Sequence, residues 1–296
     1  MYENIKYISS HGIAHRIDNT IKLTQNSVNY NFNYNERIVY IRIVDIIQFF
    51  ENYIDNFYQP IIVVTGDMDT LVPIDIPNIE SYINHPKLIV WYAQNLIIKE
   101  QEKLKHIPIG LDYHTLSINR GNNHEWGQYQ LPIEQENMIE KIRSTFIDIK
   151  DTRVKAVTNF HLAMDNPPRR KMLREPIYNM LKNNKNIIWL PKQTREEFWK
   201  SLNKCMFVIC PFGNGFDTHR TWEVLIMNRI PIIPKCDMNK IFEGLPVIEI
   251  DNNRWDIITE EWLLLKKEEI IKKWSEYKFE RLTLEWWLNK IRSNLI

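Results

Sequence analysis

Between Met206 and Pro234, an apolar run, a glycine pair and a set of charged residues follow one another in an order that suits anion binding. The run Met206–Cys210 leads into Pro211-Phe212-Gly213-Asn214-Gly215, followed by Asp217, Thr218, His219, Arg220 and Glu223. Glycine lets a ligand approach the backbone closely. Free N–H groups at a helix start favour an anion such as a diphosphate. Arg220 adds a forked cationic donor matched to phosphate, and Glu223, one turn on, can accept two hydroxyls of a ribose. The chain has only eight glycines, so a pair this close argues for a purpose. A tight strand–helix turn is the other reading, with Asp217 as N-cap and Arg220–Glu223 as a surface pair.

Two further groups could do chemistry. Asp67-x-Asp69 follows the apolar run Ile61–Thr65. Paired carboxylates can hold a hard cation such as Mn²⁺ or Mg²⁺, or Asp67 can cap an acidic turn. Arg169, Arg170 and Lys171 open a helical stretch. Cations there oppose the helix dipole, so they are either a solvated basic start or the partners of an anion. Among the histidines, His11 lies in Ser9-Ser10-His11-Gly12, His114 has Asp112 nearby, and His219 lies inside the glycine segment. None has HExxH or HxH spacing, which argues against zinc, and no GxGxxG or GxxxxGK[ST] segment is present.

These residues need elements to position them. Short runs rich in β-branched residues recur: Ile5–Ser9, Arg37–Ile43, Ile61–Thr65, Lys87–Trp91 and His106–Ile109, then Arg153–Phe160, Asn186–Leu190, Met206–Cys210, Ile230–Ile233 and Pro246–Ile250. Such runs predict strands buried on both faces of a parallel sheet. Helical stretches lie between them. Asp45 is placed to cap Ile46–Tyr58, and Thr194 with Glu197 makes a capping box for Arg195–Lys204. Pro176 should kink or divide Arg169–Lys182. Alternating strands and helices imply βαβ units. The pattern predicts an α/β protein with two similar α/β domains, 1–150 and 151–258, and a helical tail, 259–296. The tail's tryptophans (Trp262, Trp274, Trp286, Trp287) suit a core, with a carbohydrate-stacking platform as the lesser alternative.

The glycine segment resembles the donor-binding signature of exostosin-like glycosyltransferases, P-x-G-x-G-x-D-x-x-R-x-x-E followed by an I-P strand. Pro211, Gly213, Gly215, Asp217, Arg220, Glu223 and Ile230-Pro231-Ile232 fall in place, whereas Asn228-Arg229 departs from the usual small residue. Val64–Pro73, Trp91–Asn95, Ile107–Leu116 and Asn159–Lys171 also look like segments of microbial and viral members. The resemblance implies a GT-B architecture, with two Rossmann-like domains facing across a cleft. It implies an inverting, metal-independent transfer from a nucleotide-sugar, UDP-linked for preference, to a hydroxyl of a glycan or glycoconjugate. The donor residues it implies are Gly213, Asn214, Gly215, Asp217, Thr218, His219, Arg220 and Glu223, with Arg169 and Arg170. Asp69 is then the expected base, Asp67 its support and His11 the alternative base. Asp112 and His114 are expected to bind acceptor. The alternatives are a GT-A-like enzyme holding Mn²⁺ or Mg²⁺ on Asp67 and Asp69, and a non-catalytic sugar- or nucleotide-binding protein.

Composition narrows the field. Lys+Arg is 38 against Asp+Glu 37, a formal charge of +1. Polyanion binding needs a surplus of Lys and Arg, so nucleic acid is not an expected partner. Three cysteines without a CxxC pair fit a reducing, cytoplasmic setting, or host cytoplasm for a viral protein. No apolar run reaches the roughly 18–20 residues of a spanning helix. The 45 Ile and 30 Asn against 4 Ala point to an AT-rich genome, microbial or viral.

Overall fold

The computed structural model describes residues 2–17, 21–23, 28–118, 124–162 and 169–295; the Asn166–Pro168 part of the Asn159–Lys171 pattern lies outside them. In chain order the first half contains α1 (Ser10–Ile17), β1 (Ile21–Leu23), β2 (Val28–Tyr30), β3 (Ile38–Arg42), α2 (Ile46–Asn52), β4 (Ile61–Gly66), α3 (Ile79–Ile83), β5 (Leu88–Ala93), β6 (Leu104–His106), α4 (His114–Ile118) and α5 (Pro132–Arg143). The second half contains β7 (Arg153–Thr158), α6 (Arg169–Leu181), β8 (Ile187–Trp189), α7 (Arg195–Ser201), β9 (Cys205–Ile209), α8 (His219–Ile226), β10 (Ile230–Pro234), β11 (Ile248–Ile250), α9 (Glu260–Lys272) and α10 (Leu284–Arg292).

Two parallel sheets result. The first has strand order β3-β4-β5-β6 and the second β11-β10-β9-β7-β8. Every residue of β4, β9 and β10 is buried, as continuous Ile/Val runs require when helices cover both sheet faces. This is the two-sheet α/β arrangement expected from the alternating runs. β1 and β2 form a separate antiparallel pair.

Several local expectations change. Ile5–Ser9 joins neither sheet. It makes isolated bridges at Tyr7 to Thr283 and at Ser9 to Gly110, and the backbones of Tyr7 and Lys6 donate to the buried Glu136 carboxylate. Asp45 sits at the N-cap of α2 without capping it; its carboxylate accepts from the Tyr30 hydroxyl at 2.6 Å instead. The Thr194–Glu197 capping box forms. Pro176 lies inside α6 without dividing it, since one lost N–H bond is offset by the packing of Ile177 and Leu181. The tail spans both halves. Lys267 of α9 donates to the Lys150 and Thr152 carbonyls beside β7, while Asn294, just after α10, donates to Tyr92 of β5. Trp287 is fully buried, in line with the core reading. No helix among the described residues is long and apolar enough to cross a membrane.

A buried ion network joins the halves. Arg195 donates to the Asp112 carboxylate at 3.1 Å, to the Asp112 carbonyl at 2.6 Å and to Gln135 at 3.0 Å, and its Nε lies 3.4 Å from Glu223. Arg195→Met strands two buried carboxylates. Unpairing buried charge costs about 3–5 kcal/mol. The melting temperature of Arg195→Met should therefore fall by several degrees, and adding Asp112→Asn should recover part of it. Equal melting of wild type and variant would remove this network from the account of stability.

Candidate active site

Strand order locates the site. In the second sheet β7 leads to β8 on one side, whereas β9 returns on the other. Ligands of open α/β sheets bind beyond the carboxyl ends of strands at such a switch point. The segments leaving β7 and β9 there carry Arg169 and the glycine pair. Facing them are the ends of β4 and β5. Between lies a cleft of about 470 Å³, lined by Ser10, Asp67, Met68, Asp69, Thr70, Asp75, Gln94, Ile109 and His114 from the first half and by Arg169, Asn214 and His219 from the second.

The first-half wall is built around Asp67. Gly66 ends β4 where a Cβ would lie 2.6 Å from the Tyr40 hydroxyl and 2.8 Å from Gln94 Oε1, so a side chain there would have to displace both groups. Asp67 follows with φ of +73°, an uncommon conformation for a residue with a side chain. That turn brings its Oδ1 to 2.7 Å from His11 Nε2 at the start of α1. Burial raises the Asp67 pKa, but the hydrogen bond and charge of His11 outweigh it and hold the carboxylate below its ordinary value. His11 stacks on His114 with centroids 4.3 Å apart and planes 11° from parallel. His114 Nδ1 lies 3.1 Å from Asp112, yet burial dominates and lowers its pKa to about 4, so it is neutral near pH 7. His219 donates from Nδ1 to the Gly110 carbonyl at 2.7 Å, which leaves Nε2 as the nitrogen without that bond.

The second-half wall is the glycine segment, and here two readings change. A Cβ on Gly215 would lie 2.7 Å from Asn95 Nδ2. This glycine admits a side chain of the opposite half, not a ligand. A Cβ on Gly213 would meet nothing closer than 3.4 Å, so no protein neighbour demands that glycine. Asp217 is neither the N-cap of α8, a position held by Thr218, nor open to a donor. Its Oδ2 accepts from the Ile109 backbone at 2.7 Å and its Oδ1 from Trp222 Nε1 at 2.8 Å. Its own N–H donates to Asn95. Burial raises its pKa to about 7. Asp217 therefore docks one half on the other.

Glu223 is buried between Arg195 and Arg220, not presenting two free oxygens to a ribose. Arg220 stacks on the Phe198 ring at 3.4 Å, and its Nη1 has no hydrogen-bond partner. Arg169 crosses the cleft. Its Nη1 donates to the carbonyls of Asp69 and Asn214, and its Nη2 to both oxygens of Asp75. Asn214 Oδ1 accepts the Arg170 N–H at the start of α6. Asp69 is exposed in the cleft wall.

The structure thus gathers Asp67, Asp69, His114, Arg169, Asn214 and His219 around one cleft, with His11 directly behind Asp67. Asp112 and Glu223 lie deeper, in the Arg195 network. Asp75, Gln94, Asn95 and Arg195 escaped sequence reasoning. Arg195 stands 83 residues from Asp112, and nothing in its capping-box context signals a charged partner.

Among the described residues, metal binding has one candidate set. Ligand atoms of His11, Asp67 and His114 lie within 4.8 Å of one another. Imidazole lone pairs lie in the ring plane, so two nearly parallel stacked rings do not aim at one ion. Asp67 Oδ1 is already engaged by His11. A cation here would have to use Asp67 Oδ2 and a turned imidazole.

No family model matches the chain, and no curated protein matches it. Solved structures give remote likenesses. A structure described as trehalose-6-phosphate from E. coli bound with UDP-2-fluoro glucose has a TM-score of 0.44 and 7% identity over 88% of this chain and 74% of that one. An alpha1,3-fucosyltransferase has a TM-score of 0.39 and 12% identity over 90% of this chain and 78% of that one. An alpha1,3-fucosyltransferase with GDP-fucose has a TM-score of 0.38 and 9% identity over 96% of both chains.

Proposed function

We propose that the protein is an inverting glycosyltransferase of GT-B type, which moves a hexosyl or pentosyl group from a nucleotide-sugar, UDP-linked for preference, to an acceptor hydroxyl. The observation that carries this reading is the His11–Asp67 pair in a cleft between two parallel sheets, opposite the glycine segment. The acceptor oxygen attacks the anomeric carbon as the bond from that carbon to the diphosphate oxygen breaks. The acceptor's proton passes to the pair, at Asp67 Oδ2, while the Oδ1 bond to His11 keeps the carboxylate aimed. A base must lie within hydrogen-bond reach of its proton, and a held carboxylate suits that better than the exposed Asp69. The departing diphosphate takes the electron pair, and its charge is met by the N–H groups opening α8 and by the Arg169 guanidinium that crosses the cleft. His114 and Asp112 shape the acceptor side.

Asp67→Asn should lower kcat by about 10²–10⁴-fold, the usual worth of a general base, with nucleotide affinity unchanged. Asp69→Asn should cost less than tenfold. The reverse order would make Asp69 the base. The pH profile offers a second check. Activity falls as pH drops through the Asp67 pKa, which His11 holds below the ordinary carboxylate value. In His11→Ala burial prevails, so the acid limb should move to higher pH; an unmoved limb would sink the pairing.

Gly213→Ala should leave melting unchanged and weaken UDP binding, because its Cβ makes only ordinary contacts with the protein yet narrows the approach of a diphosphate to this loop. Gly215→Ala should lower the melting temperature, because its Cβ strikes Asn95. Identical behaviour of the two would remove the glycine argument.

A metal-dependent transfer is the second reading, favoured by the closeness of His11, Asp67 and His114. It requires one imidazole to turn. EDTA should leave turnover with UDP- or GDP-sugars intact; loss on chelation, restored by Mn²⁺, would establish the metal reading instead.

A further inference from the structure

We propose that Asp75 is a placeholder for the donor diphosphate: it holds Arg169 in the cleft and surrenders that guanidinium when the anion arrives. The proposal rests on the donor reading above and adds a residue that the glycine signature does not contain. The guanidinium is divided between two kinds of partner. Nη1 is held by neutral acceptors, the Asn214 carbonyl at 3.2 Å and the Asp69 carbonyl at 3.3 Å, one from each half. Nη2 faces both oxygens of Asp75 at 3.1 and 3.3 Å. Losing Asp75 therefore leaves Arg169 anchored and still directed into the cleft.

Exchange is easy at this place. The side chains are 29% and 31% exposed, and ion pairs so exposed add little stability. A diphosphate offers the same planar fork a stronger, doubly charged partner. Asp75 itself does not move far, because its Oδ2 accepts from the Leu71 N–H at 2.8 Å and its own N–H returns to the Leu71 carbonyl at 2.8 Å. The carboxylate is thus a fixed competitor for Arg169. It lines the same cleft as Asn214 and His219, so an anion bound there meets it directly. Asp75 is a positioning residue in this scheme and touches no reacting atom.

The test is a binding cycle. UDP, GDP and pyrophosphate are titrated calorimetrically into wild type, Asp75→Asn, Arg169→Ala and the double variant. Asparagine keeps an acceptor for Leu71 N–H and removes the charge, so the loop stays closed; melting temperatures check this independently. Asp75→Asn should tighten binding about 3–10-fold, Arg169→Ala should weaken it about tenfold, and Asp75→Asn should add nothing once Arg169 is gone. Weaker binding in Asp75→Asn would make the pair a clamp that closes the cleft, and the placeholder fails. Equal tightening with or without Arg169 would reduce Asp75 to a general field effect, and the placeholder fails again. If no probe binds either wild type or Asp75→Asn, the donor reading itself falls and takes the placeholder with it.

Discussion

The molecule depends on one buried guanidinium. Arg195 stands at the start of α7 with carboxylates from both halves within ion-pair distance, Asp112 on one side and Glu223 on the other. Taking three charges out of water is costly, and the cost is met only when geometry and further hydrogen bonds are good. Here the Asp112 carbonyl and Gln135 supply those bonds, and Trp126 lies under the guanidinium at 5.0 Å. The arrangement rules out independent halves. Swinging one sheet away from the other strands charge in an apolar interior. Asp217 adds to the constraint by accepting the Ile109 N–H while its own N–H reaches Asn95. Arg195 and Asp217 together fix the depth and floor of the cleft.

A fixed floor leaves motion to the rim. The rim contact is Arg169 with Asp75, half-exposed and weak, whereas the floor contacts are buried and satisfied. Stability is therefore distributed unevenly, with the low-cost openings nearest the mouth of the cleft. Regions of low local stability are where binding devices are found. The stacked histidines sit between these two zones. His114 is kept neutral by burial, so it brings no like charge against His11.

The sequence made the two-sheet architecture readable because parallel strands covered on both faces write themselves as unbroken Ile/Val runs. The Thr194–Glu197 box was readable for the same local reason: its partners are three residues apart. The placement of His11 against Asp67 was not readable. It depends on Ile5–Ser9 leaving the sheet and running between the segment after β6 and the tail, a long-range docking with no periodicity. Gly215 and Asp217 were legible as special but not as to why. Their spacing says that something approaches closely, and only the packing reveals that it is Asn95, Ile109 and Trp222. Arg195 gave no signal at all, since a lone arginine inside a capped helix start looks like solvated surface.

The threading of that N-terminal segment has a consequence for how the chain matures. Ile8 N–H bonds to the Leu282 carbonyl, and Leu284 N–H returns to the Lys6 carbonyl. Helix α1, which carries His11, packs against α10. A protein emerging from the ribosome completes its N-terminal elements first, yet here the helix that carries His11 is held in place by residues synthesised after both sheets. Both sheets can assemble on the nascent chain while His11 still lacks its support. Support for His11 therefore arrives only after both sheets have been synthesised, so the order of synthesis separates assembly of the framework from completion of the cleft.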